Sequence, residues 1–340
     1  MSPPSAVEPW RLALRVDASP EIGHGHVARS LALGQALISY GADPIVVSRA
    51  SLPNVRLPVI ELPATIAPEH EAVFLASLEP RPVAVIADLF RPTQDQVNEL
   101  AKGPWALVFL DDGSPIEFGA DLLVNPNLNR AHSHRYTQRT EYLNGAQALI
   151  VRPEFHNVGP RTIRKRASEL LVCMGGSDPE DATSRVVQAL QDAFAPAMER
   201  ATIVLGPDYH GDAASPDDRF VLVRDVRDMS ERMQAADIGV LAAGNLLYEA
   251  MAVGLPSILI ELTREQAREA MVAHEAGAAV RLGGPHEITA PGLARVLAQL
   301  DESGARQRLS AHARELVKHH NMDRLAQHVA VICTRRARVR

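Results

Sequence analysis

The sequence is poor in aromatic residues, cysteine and net positive charge, and each deficit excludes a class of protein. Phe, Trp and Tyr make up 4% of the 340 residues, so the core must be built from Ala, Val, Leu and Ile. The two cysteines, Cys173 and Cys333, cannot form a disulfide framework and lack metal-ligand spacing, which predicts a reducing, cytoplasmic setting. The 35 basic and 41 acidic residues give a formal net charge of −6, which argues against binding to nucleic acid.

Long apolar runs are also scarce, with one exception. Residues 238–260 are almost wholly apolar, but Glu249 lies in the middle and Gly254-Leu255-Pro256 interrupts the run. Because a carboxylate at the centre of a membrane helix costs roughly 2–3 kcal/mol, we expect a helix followed by a core strand and no membrane insertion. Residues 1–9 have neither a basic start nor an apolar run, so they do not predict a signal peptide.

Short β-rich runs alternate with helical patterns, which predicts an α/β fold with doubly wound parallel sheets. Strands are predicted at 12–17, 44–48, 83–88, 107–111, 122–125, 170–174, 202–205, 220–223, 238–241, 257–262 and 279–282. Helices are predicted at 27–40, 69–78, 93–101, 179–194, 229–235, 246–252, 266–275, 291–300 and 306–319. The length favours two domains, and the polar segment 157–168, which a Gly-Pro pair interrupts, predicts a boundary between 1–156 and 157–340.

The first strand leads into a loop with Gly23, Gly25 and His26, followed by a helix. Glycines allow a sharp turn and close approach to a ligand, and a helix N-terminus favours an anion. His26, in the first helical turn, is a candidate general base because its ordinary pKa lies close to neutral pH. A helix-capping histidine without a catalytic role is the plain structural alternative.

Two further interpretations of this loop stay open. The sequence Gly23-His-Gly25-His-Val-Ala28 fits the dinucleotide pattern G-x-G-x-x-A, but the glycines come late after the strand. Ser48-Arg49 also stands where an acidic residue is expected, so NADP is the cofactor that this interpretation allows. The other interpretation is a His-x-His metal site, for which His132 and His134 form the comparable second pair.

Three glycine-containing turns follow strands in the second half, at the sheet edge where α/β proteins bind ligands. Glu249, one helical turn after the third of these, is the lone charge in an apolar helix and is expected to accept hydrogen bonds from a ribose. The candidate nucleotide-binding residues are Gly175, Gly176, Ser177, Gly206, Gly244, Asn245, Glu249, Glu265 and Gln266.

Several motifs in order resemble the PseG/SpsG-like UDP-sugar hydrolases of the pseudaminic acid pathway. The segment from Arg15 through Asp17 and His26 to Arg29 is similar to that family's opening, R-x-D-x-S…I-G-x-G-H-x-x-R. Further similar positions are Asp88, Asp111-Asp112, Asn125 with Asn127, Arg152-Pro153-Glu154-Phe155, Gly175-Gly176-Ser177-Asp178, Gly244 with Glu249, and Glu265-Gln266. The resemblance covers roughly residues 11–283.

The resemblance implies a glycosyltransferase-B (GT-B) fold, with two Rossmann-like domains facing across a cleft, as in the MurG glycosyltransferase. It implies that the C-terminal domain binds UDP and that the N-terminal domain holds the sugar, with Gly25, Arg29, Asp88, Asn125 and Asn127 as candidate substrate-binding residues. His26 would take a proton from the water that attacks the anomeric carbon, and UDP would leave with inversion. Asp17 is expected to orient His26 or the water, and the reaction requires no metal and no cofactor.

Three departures from the family pattern lie near the implied sugar or base site. Phe90 and Ala148 stand where the family has tyrosines, and the Asn of E-N-Q is displaced in Thr263-Arg264-Glu265-Gln266. A GT-B glycosyltransferase that passes the sugar to an acceptor therefore stays the alternative, with a non-catalytic nucleotide-sugar binder as a third hypothesis.

Overall fold

The computed structural model describes residues 9–19, 22–52, 55–128, 135–193, 198–224 and 226–338. The start of the chain and the histidine pair His132 and His134 lie outside these residues. The chain divides into two compact units. The first comprises Met1–Ile22, His26–Ile150 and His320–Arg340, and the second comprises Gly23–Gly25 and Val151–His319.

The first unit is built on a parallel sheet. Its strands are β1 (Trp10–Val16), β2 (Ala42–Ser48), β3 (Val59–Glu61), β4 (Ala84–Asp88), β5 (Ala106–Leu110), β6 (Glu117–Phe118), β7 (Leu122–Val124), β8 (Arg135–Tyr136) and β9 (Glu141–Leu143). The main sheet has the order β3-β2-β1-β4-β5-β7-β9, and β6 pairs with β8. Its helices are α1 (Gly25–Leu37), α2 (Glu71–Ala76) and α3 (Gln94–Ala101).

Both faces of this sheet are covered, because its central strands are apolar at successive positions. Leu12 and Leu14 of β1 pack in one buried cluster with Leu33 of α1, whereas Ala13 packs in the other with Leu75 of α2. The polar residues at the carboxyl ends of these strands therefore mark the edge at which the apolar layers stop.

The second unit contains a six-stranded parallel sheet. Its strands are β10 (Glu169–Cys173), β11 (Arg200–Leu205), β12 (Phe220–Arg224), β13 (Ile238–Ala242), β14 (Ser257–Ile260) and β15 (Val280–Gly283), in the order β12-β11-β10-β13-β14-β15. Its helices are α4 (Ala182–Ala193), α5 (Met229–Ala235), α6 (Asn245–Val253), α7 (Arg264–Glu275), α8 (Ala290–Asp301) and α9 (Ser303–Val317). The order is that of a Rossmann fold, so the predicted α/β class with parallel sheets is confirmed.

The long apolar run forms a strand, a helix and a second strand, as predicted. It comprises β13, α6 and β14, and α6 is capped at its C-terminal end by Gly254, whose φ of 68° is left-handed. Across the described ranges, no helix is long and apolar enough to cross a membrane.

The observed division differs from the predicted 1–156 and 157–340. The last helix, α10 (Met322–Arg338), belongs to the first unit, where Leu325 and Val329 are buried in the same cluster as Trp10. The Tyr40 hydroxyl also donates to Asp323 Oδ1 across 2.8 Å. The apolar stripe of α10 is therefore covered by the first sheet, at β5, and by the turn Ile38–Tyr40 that follows α1.

The predicted linker, residues 157–168, is part of the second unit, which begins at Val151. Asp237, just before β13, accepts hydrogen bonds from the backbone N of Ser168 at 2.9 Å and from Arg164 Nη1 at 3.0 Å. Arg161 Nη1 donates to the carbonyl of Met233 at 2.9 Å. These bonds tie the irregular segment to the second sheet, which is why the boundary lies earlier in the chain.

Each sheet has a switch point, where the strand order reverses beside its first strand. In the first unit the switch point lies between β1 and β4, and in the second it lies between β10 and β13. Open α/β sheets bind ligands outside the carboxyl ends of such strands. The residues that follow these four strands are therefore the first places to look for a site.

Candidate active site

At the switch point of the first unit, a histidine and a buried carboxylate are in contact. His26 is the second residue of α1, Asp88 is the last residue of β4, and His26 Nδ1 lies 2.6 Å from Asp88 Oδ1. Burial would raise the pKa of Asp88, but the charges of Arg29 and His26 outweigh it and hold that pKa below its usual range. Arg29 Nη2 also lies 3.1 Å from His26 Nδ1. The ionised Asp88 carboxylate, at the shorter 2.6 Å, can only accept, so Nδ1 of His26 is the donor to Asp88. In the neutral ring, Nε2 then carries the lone pair that a general base needs.

Arg29 fixes Asp88 from the next turn of α1. Its Nε and Nη2 donate to the two oxygens of Asp88, both at 2.7 Å, and its Nη1 donates to Asp112 Oδ1 at 2.7 Å. Ser30 Oγ donates to Asp88 Oδ2 at 3.1 Å. Burial lowers the pKa of Arg29, but the two carboxylates outweigh it and raise that pKa well above its usual value. Arg29 and Asp88, both predicted to bind substrate, therefore hold each other and His26.

Asp112, for which the sequence predicts no role, belongs to the same cluster. It follows the end of β5, the neighbour of β4, and its Oδ1 also accepts from Asn127 Nδ2 at 3.0 Å. Its Oδ2 lies 3.9 Å from His26 Nε2. Asn125 is buried, and its Oδ1 accepts from the backbone N of Asn127 at 3.2 Å. Asn125 and Asn127, both predicted to bind substrate, are therefore linked to each other and to Asp112, which lies next to His26.

Asp17 does not orient His26 in this structure. Its carboxylate accepts from the backbone N of Arg49 at 2.7 Å and from Ser48 Oγ at 3.2 Å, and it lies 2.8 Å from Arg15 Nη1. Arg15 in turn binds Glu71 of α2 with two bonds of 2.8 Å, on the sheet face that α1 does not cover. The orienting contact expected of Asp17 is made by Asp88, because Asp17 turns toward the end of β2.

An exposed aromatic ring lies beside His26. Phe90, two residues after Asp88, has its ring centroid 6.1 Å from that of His26 in an edge-on arrangement. Its side chain is 42% exposed, and the Arg91 guanidinium lies 4.9 Å from its centroid. This is the residue that replaces the tyrosine of the resembled family, so the base has an apolar neighbour without a hydroxyl group.

In the second unit, the turn after β10 and the turn after β11 pack backbone against backbone. A Cβ atom at Gly206 would come within 2.1 Å of the Gly176 carbonyl oxygen and 2.3 Å of that of Gly175. Gly175 has a φ of +93°, which also favours glycine. The predicted glycines therefore have a structural reason to be glycine, alongside any contact with a ligand.

The N-terminus of α4 is already capped. Asp178, directly after the buried Ser177, accepts hydrogen bonds from the backbone N of Ala182 at 2.9 Å and of Thr183 at 2.8 Å. This aspartate therefore takes two of the backbone amide groups at the start of α4.

The start of α6 differs, because its N-cap residue, Gly244, has no side chain to cap it. Asn245 Nδ2 donates to the carbonyl of Gly25 at 2.9 Å, within the unit that includes Gly23–Gly25. In the same unit, His24 Nε2 lies 2.5 Å from Asp208 Oδ2. Gly25 and Asn245, predicted to contact different parts of the substrate, therefore contact each other.

Glu249 is bound by an arginine. Arg152 Nε and Nη2 reach the two oxygens of Glu249 at 2.6 and 2.8 Å, and Glu249 is 3% exposed. Arg152 also pairs with Glu154 at 3.2 Å. Burial lowers the pKa of Arg152, but the bonds to Glu249 raise that pKa above its usual value. The lone charge of α6 thus holds a cation, and its contact with a ribose stays a prediction.

The start of α7 lies beside the α6 turn. Thr263 Oγ1 accepts from the backbone N of Gln266 at 3.2 Å, and Gln266 Oε1 accepts from the N of Leu262 at 3.0 Å. Gln266 Nε2 would lie 3.4 Å from a Cβ at Gly244, so the structure brings these two candidates together. Glu265 is exposed in the first turn of α7. Among the described residues, no group of three or more His, Cys, Asp or Glu side chains is arranged to hold a metal.

No protein-family model matches the chain. The uncharacterized protein MJ1062 of Methanocaldococcus jannaschii is 26% identical over 283 residues, which cover 75% of this chain and 57% of that protein. The spore coat polysaccharide biosynthesis protein SpsG of Bacillus subtilis is 25% identical over 288 residues, which cover 78% of this chain and 82% of SpsG. This chain thus spans just over half the length of the first relative.

Solved structures show the same fold. Spinosyn rhamnosyltransferase SpnG complexed with thymidine diphosphate has a TM-score of 0.61 at 14% identity, and the match covers 94% of this chain and 99% of SpnG. Acinetobacter baumannii MurG has a TM-score of 0.62 at 15% identity, and the match covers 96% of this chain and 100% of the MurG chain. The S. aureus MnaA–UDP structure has a TM-score of 0.63 at 13% identity, and the match covers 94% of this chain and 96% of the MnaA chain. The predicted GT-B class with two Rossmann-like units is therefore confirmed.

Proposed function

We propose that the chain is a nucleotide-sugar hydrolase with His26 as its general base. The oxygen of a water molecule bonds to the anomeric carbon, and the bond from that carbon to the diphosphate oxygen breaks. UDP leaves with the electron pair, a water proton passes to His26 Nε2, and the configuration is inverted. The observation that carries this proposal is the 2.6 Å contact between His26 Nδ1 and Asp88, which leaves Nε2 as the acceptor.

We assign the nucleotide to the second unit. The turns at Gly175 and Gly206 keep bare backbone at one sheet edge, the start of α6 offers amide groups, and Arg152 adds a cation suited to an anion. Similar structures contain thymidine diphosphate or UDP, and SpsG is named for polysaccharide biosynthesis. These observations support a nucleoside diphosphate sugar, and the family resemblance favours UDP and a diacetamido-trideoxyhexose. A nonulosonic acid or related surface sugar is the product class this implies.

A glycosyltransferase on the same scaffold is the second candidate. SpnG is described as a rhamnosyltransferase, and the kitacinnamycin enzyme and CalG4 are also described as transferases of this kind. Both functions use the same donor and base, and they differ in the nucleophile. A transferase requires a sugar or aglycone hydroxyl where the hydrolase uses water.

The test is release of UDP from UDP-diacetamido-trideoxyhexoses, with UDP-N-acetylglucosamine and a thymidine diphosphate sugar as comparison donors. We expect equal amounts of UDP and free sugar without any acceptor. His26→Gln should lower kcat by about a hundredfold to ten-thousandfold, because proton removal by a general base contributes that much. Asp43→Asn, an exposed carboxylate at the other end of the sheet, is the control that should leave kcat unchanged.

The same experiment separates the alternatives. UDP release that His26→Gln leaves unchanged contradicts the assignment of the base. A donor that is consumed only when an acceptor is added identifies a transferase. UDP binding by calorimetry without turnover of any donor identifies a binding protein.

A further inference from the structure

The Oδ2 atom of Asp112 faces His26, and its Oδ1 atom is held by two hydrogen bonds. Asp112 Oδ1 accepts from Arg29 Nη1 at 2.7 Å and from Asn127 Nδ2 at 3.0 Å. Two donors on one oxygen set the plane of the carboxylate, so Oδ2 is held 3.9 Å from His26 Nε2. The side chain of Asp112 is 27% exposed and that of His26 is 15% exposed, so both partners are partly open to solvent.

Both atoms that border the gap are hydrogen-bond acceptors when the ring is neutral. His26 Nδ1 donates to Asp88, which leaves Nε2 with a lone pair, and an ionised carboxylate has no hydrogen to give. Two acceptors 3.9 Å apart do not bond to each other. They do suit one small donor that carries two hydrogens: at hydrogen-bond distances of about 2.8 Å from each atom, the angle at that donor is roughly 90°.

We propose that Asp112 Oδ2 and His26 Nε2 together bind the nucleophile, and that this pair selects water over an alcohol. A water molecule can donate two hydrogen bonds and so satisfies both acceptors. An alcohol hydroxyl can donate only one, so one acceptor would face the alkyl carbon of the alcohol without a hydrogen bond. This inference rests on the proposed function and assigns its nucleophile. An unsatisfied acceptor costs on the order of tenfold to a hundredfold in rate.

The step balances with Asp112 as an acceptor throughout. The water oxygen bonds to the anomeric carbon while its first proton passes to Nε2, and UDP leaves with the electrons of the broken bond. The second hydrogen stays on that oxygen, hydrogen-bonded to Oδ2, and becomes the hydroxyl of the free sugar. Asp112 therefore orients the nucleophile, and His26 takes the proton.

The test compares water with methanol as competing nucleophiles in wild type and in Asp112→Ala. Wild type should give free sugar and no detectable methyl glycoside at molar methanol. Asp112→Ala should lower kcat for hydrolysis by about tenfold to a hundredfold and raise the ratio of methyl glycoside to free sugar. Its KM for the donor and its Kd for UDP should stay within about twofold of wild type, because the nucleotide turns belong to the second unit.

A second variant keeps the proposal testable if Asp112→Ala is unstable. Asn127→Ala leaves Asp112 in place but removes one of the two donors to Oδ1, so it should shift the product ratio in the same direction by a smaller factor. Asp43→Asn should change neither rate nor ratio. None of these substitutions removes an atom of the two bonds between Arg29 and Asp88.

The outcomes distinguish this inference from the proposed function. Suppose that wild type hydrolyses the donor and that His26→Gln abolishes this hydrolysis. If Asp112→Ala then keeps both the rate and the product ratio of wild type, the binding of water by Asp112 and His26 is contradicted, and the proposed hydrolase function is not. If wild type forms methyl glycoside as readily as free sugar, the selection of water is wrong. If wild type turns over no donor in water, both proposals are overturned.

Discussion

The guanidinium of Arg29 and the imidazole of His26 share one buried carboxylate, that of Asp88. Asp88 Oδ1 lies 2.6 Å from His26 Nδ1 and 2.7 Å from Arg29 Nη2. Since His26 and Arg29 lie three residues apart on α1, one helix face brings both to the end of β4. The arginine holds the carboxylate ionised, and the carboxylate fixes which ring nitrogen carries the proton.

Asp88→Asn should therefore impair catalysis more than substrate binding. The amide of asparagine presents a donor to either Arg29 or His26, so one of the present bonds is replaced by a clash of two donors. We expect kcat to fall by about a hundredfold to ten-thousandfold, as when a histidine base loses its orienting carboxylate. Steady-state kinetics at a temperature well below the unfolding transition, with Asp43→Asn as the control, measure this. An unchanged kcat would show that Asp88 has no part in positioning the base.

Stability at acid pH should depend on Asp88. Its pKa in the folded protein lies below the value of about 3.9 expected in the unfolded chain, so the unfolded state binds the proton first. The contribution of Asp88 is thus complete above about pH 4 and is lost as the pH falls below that value. Urea unfolding between pH 2 and 6 should show a steeper loss for wild type than for Asp88→Asn. If the stability of wild type and of Asp88→Asn fell in parallel with pH, the lowered pKa of Asp88 would be contradicted.

The bond between Arg152 and Glu249 should support both the fold of the second unit and nucleotide binding. Glu249→Gln keeps one acceptor for Arg152 but removes the charge, and we expect a loss of about 1–3 kcal/mol in the free energy of unfolding. UDP affinity should fall as well, because Arg152 is no longer held in place. Glu154→Gln is the matched control, since this more exposed partner should cost less than about 1 kcal/mol. Urea titration measures the free energy of unfolding, and calorimetry measures the affinity for UDP. Equal effects of the two variants would contradict the special role given to the bond between Arg152 and Glu249.

A methyl group at Gly206 should disturb the glycine turns. Its Cβ would lie 2.1 and 2.3 Å from two backbone oxygens, which cannot turn away as a side chain can. We expect Gly206→Ala to lower the free energy of unfolding by about 1–3 kcal/mol and to weaken UDP binding. Gly159→Ala, where a Cβ meets nothing within 4 Å, is the control. If both variants unfold alike, the close packing of the two turns is refuted.

The fold was largely predictable because its central strands are buried on both faces. Each predicted strand and helix overlaps an observed one, since continuous apolar runs and periodic patterns mark them without tertiary information. The strands β3, β6, β8 and β9 were missed because they have two or three residues, most of them partly exposed. The predicted helices end at residue 319, so both α10 and its place in the first unit came from the structure.

The site was predictable in its members and less so in their pairing. The glycine loop before a helix pointed to His26, but its partner depends on strand order, which sets Asp88 of β4 beside β1. Asp17 is closer in sequence, but its carboxylate bonds to Arg15 and to the end of β2, so it does not make that contact with His26. Arg152 and Glu249 lie 97 residues apart, and no local pattern links an irregular segment to the middle of α6.

Nitrogen NMR of ¹⁵N-histidine-labelled protein tests the central claim most directly, and it needs no substrate. The His26 signals are identified by their loss in His26→Gln. For the neutral ring we expect a protonated Nδ1 and an unprotonated Nε2. In Asp88→Asn the preference for this tautomer should be lost. A wild-type spectrum with the proton on Nε2 would leave His26 without the lone pair that the proposed reaction requires, and would contradict the account.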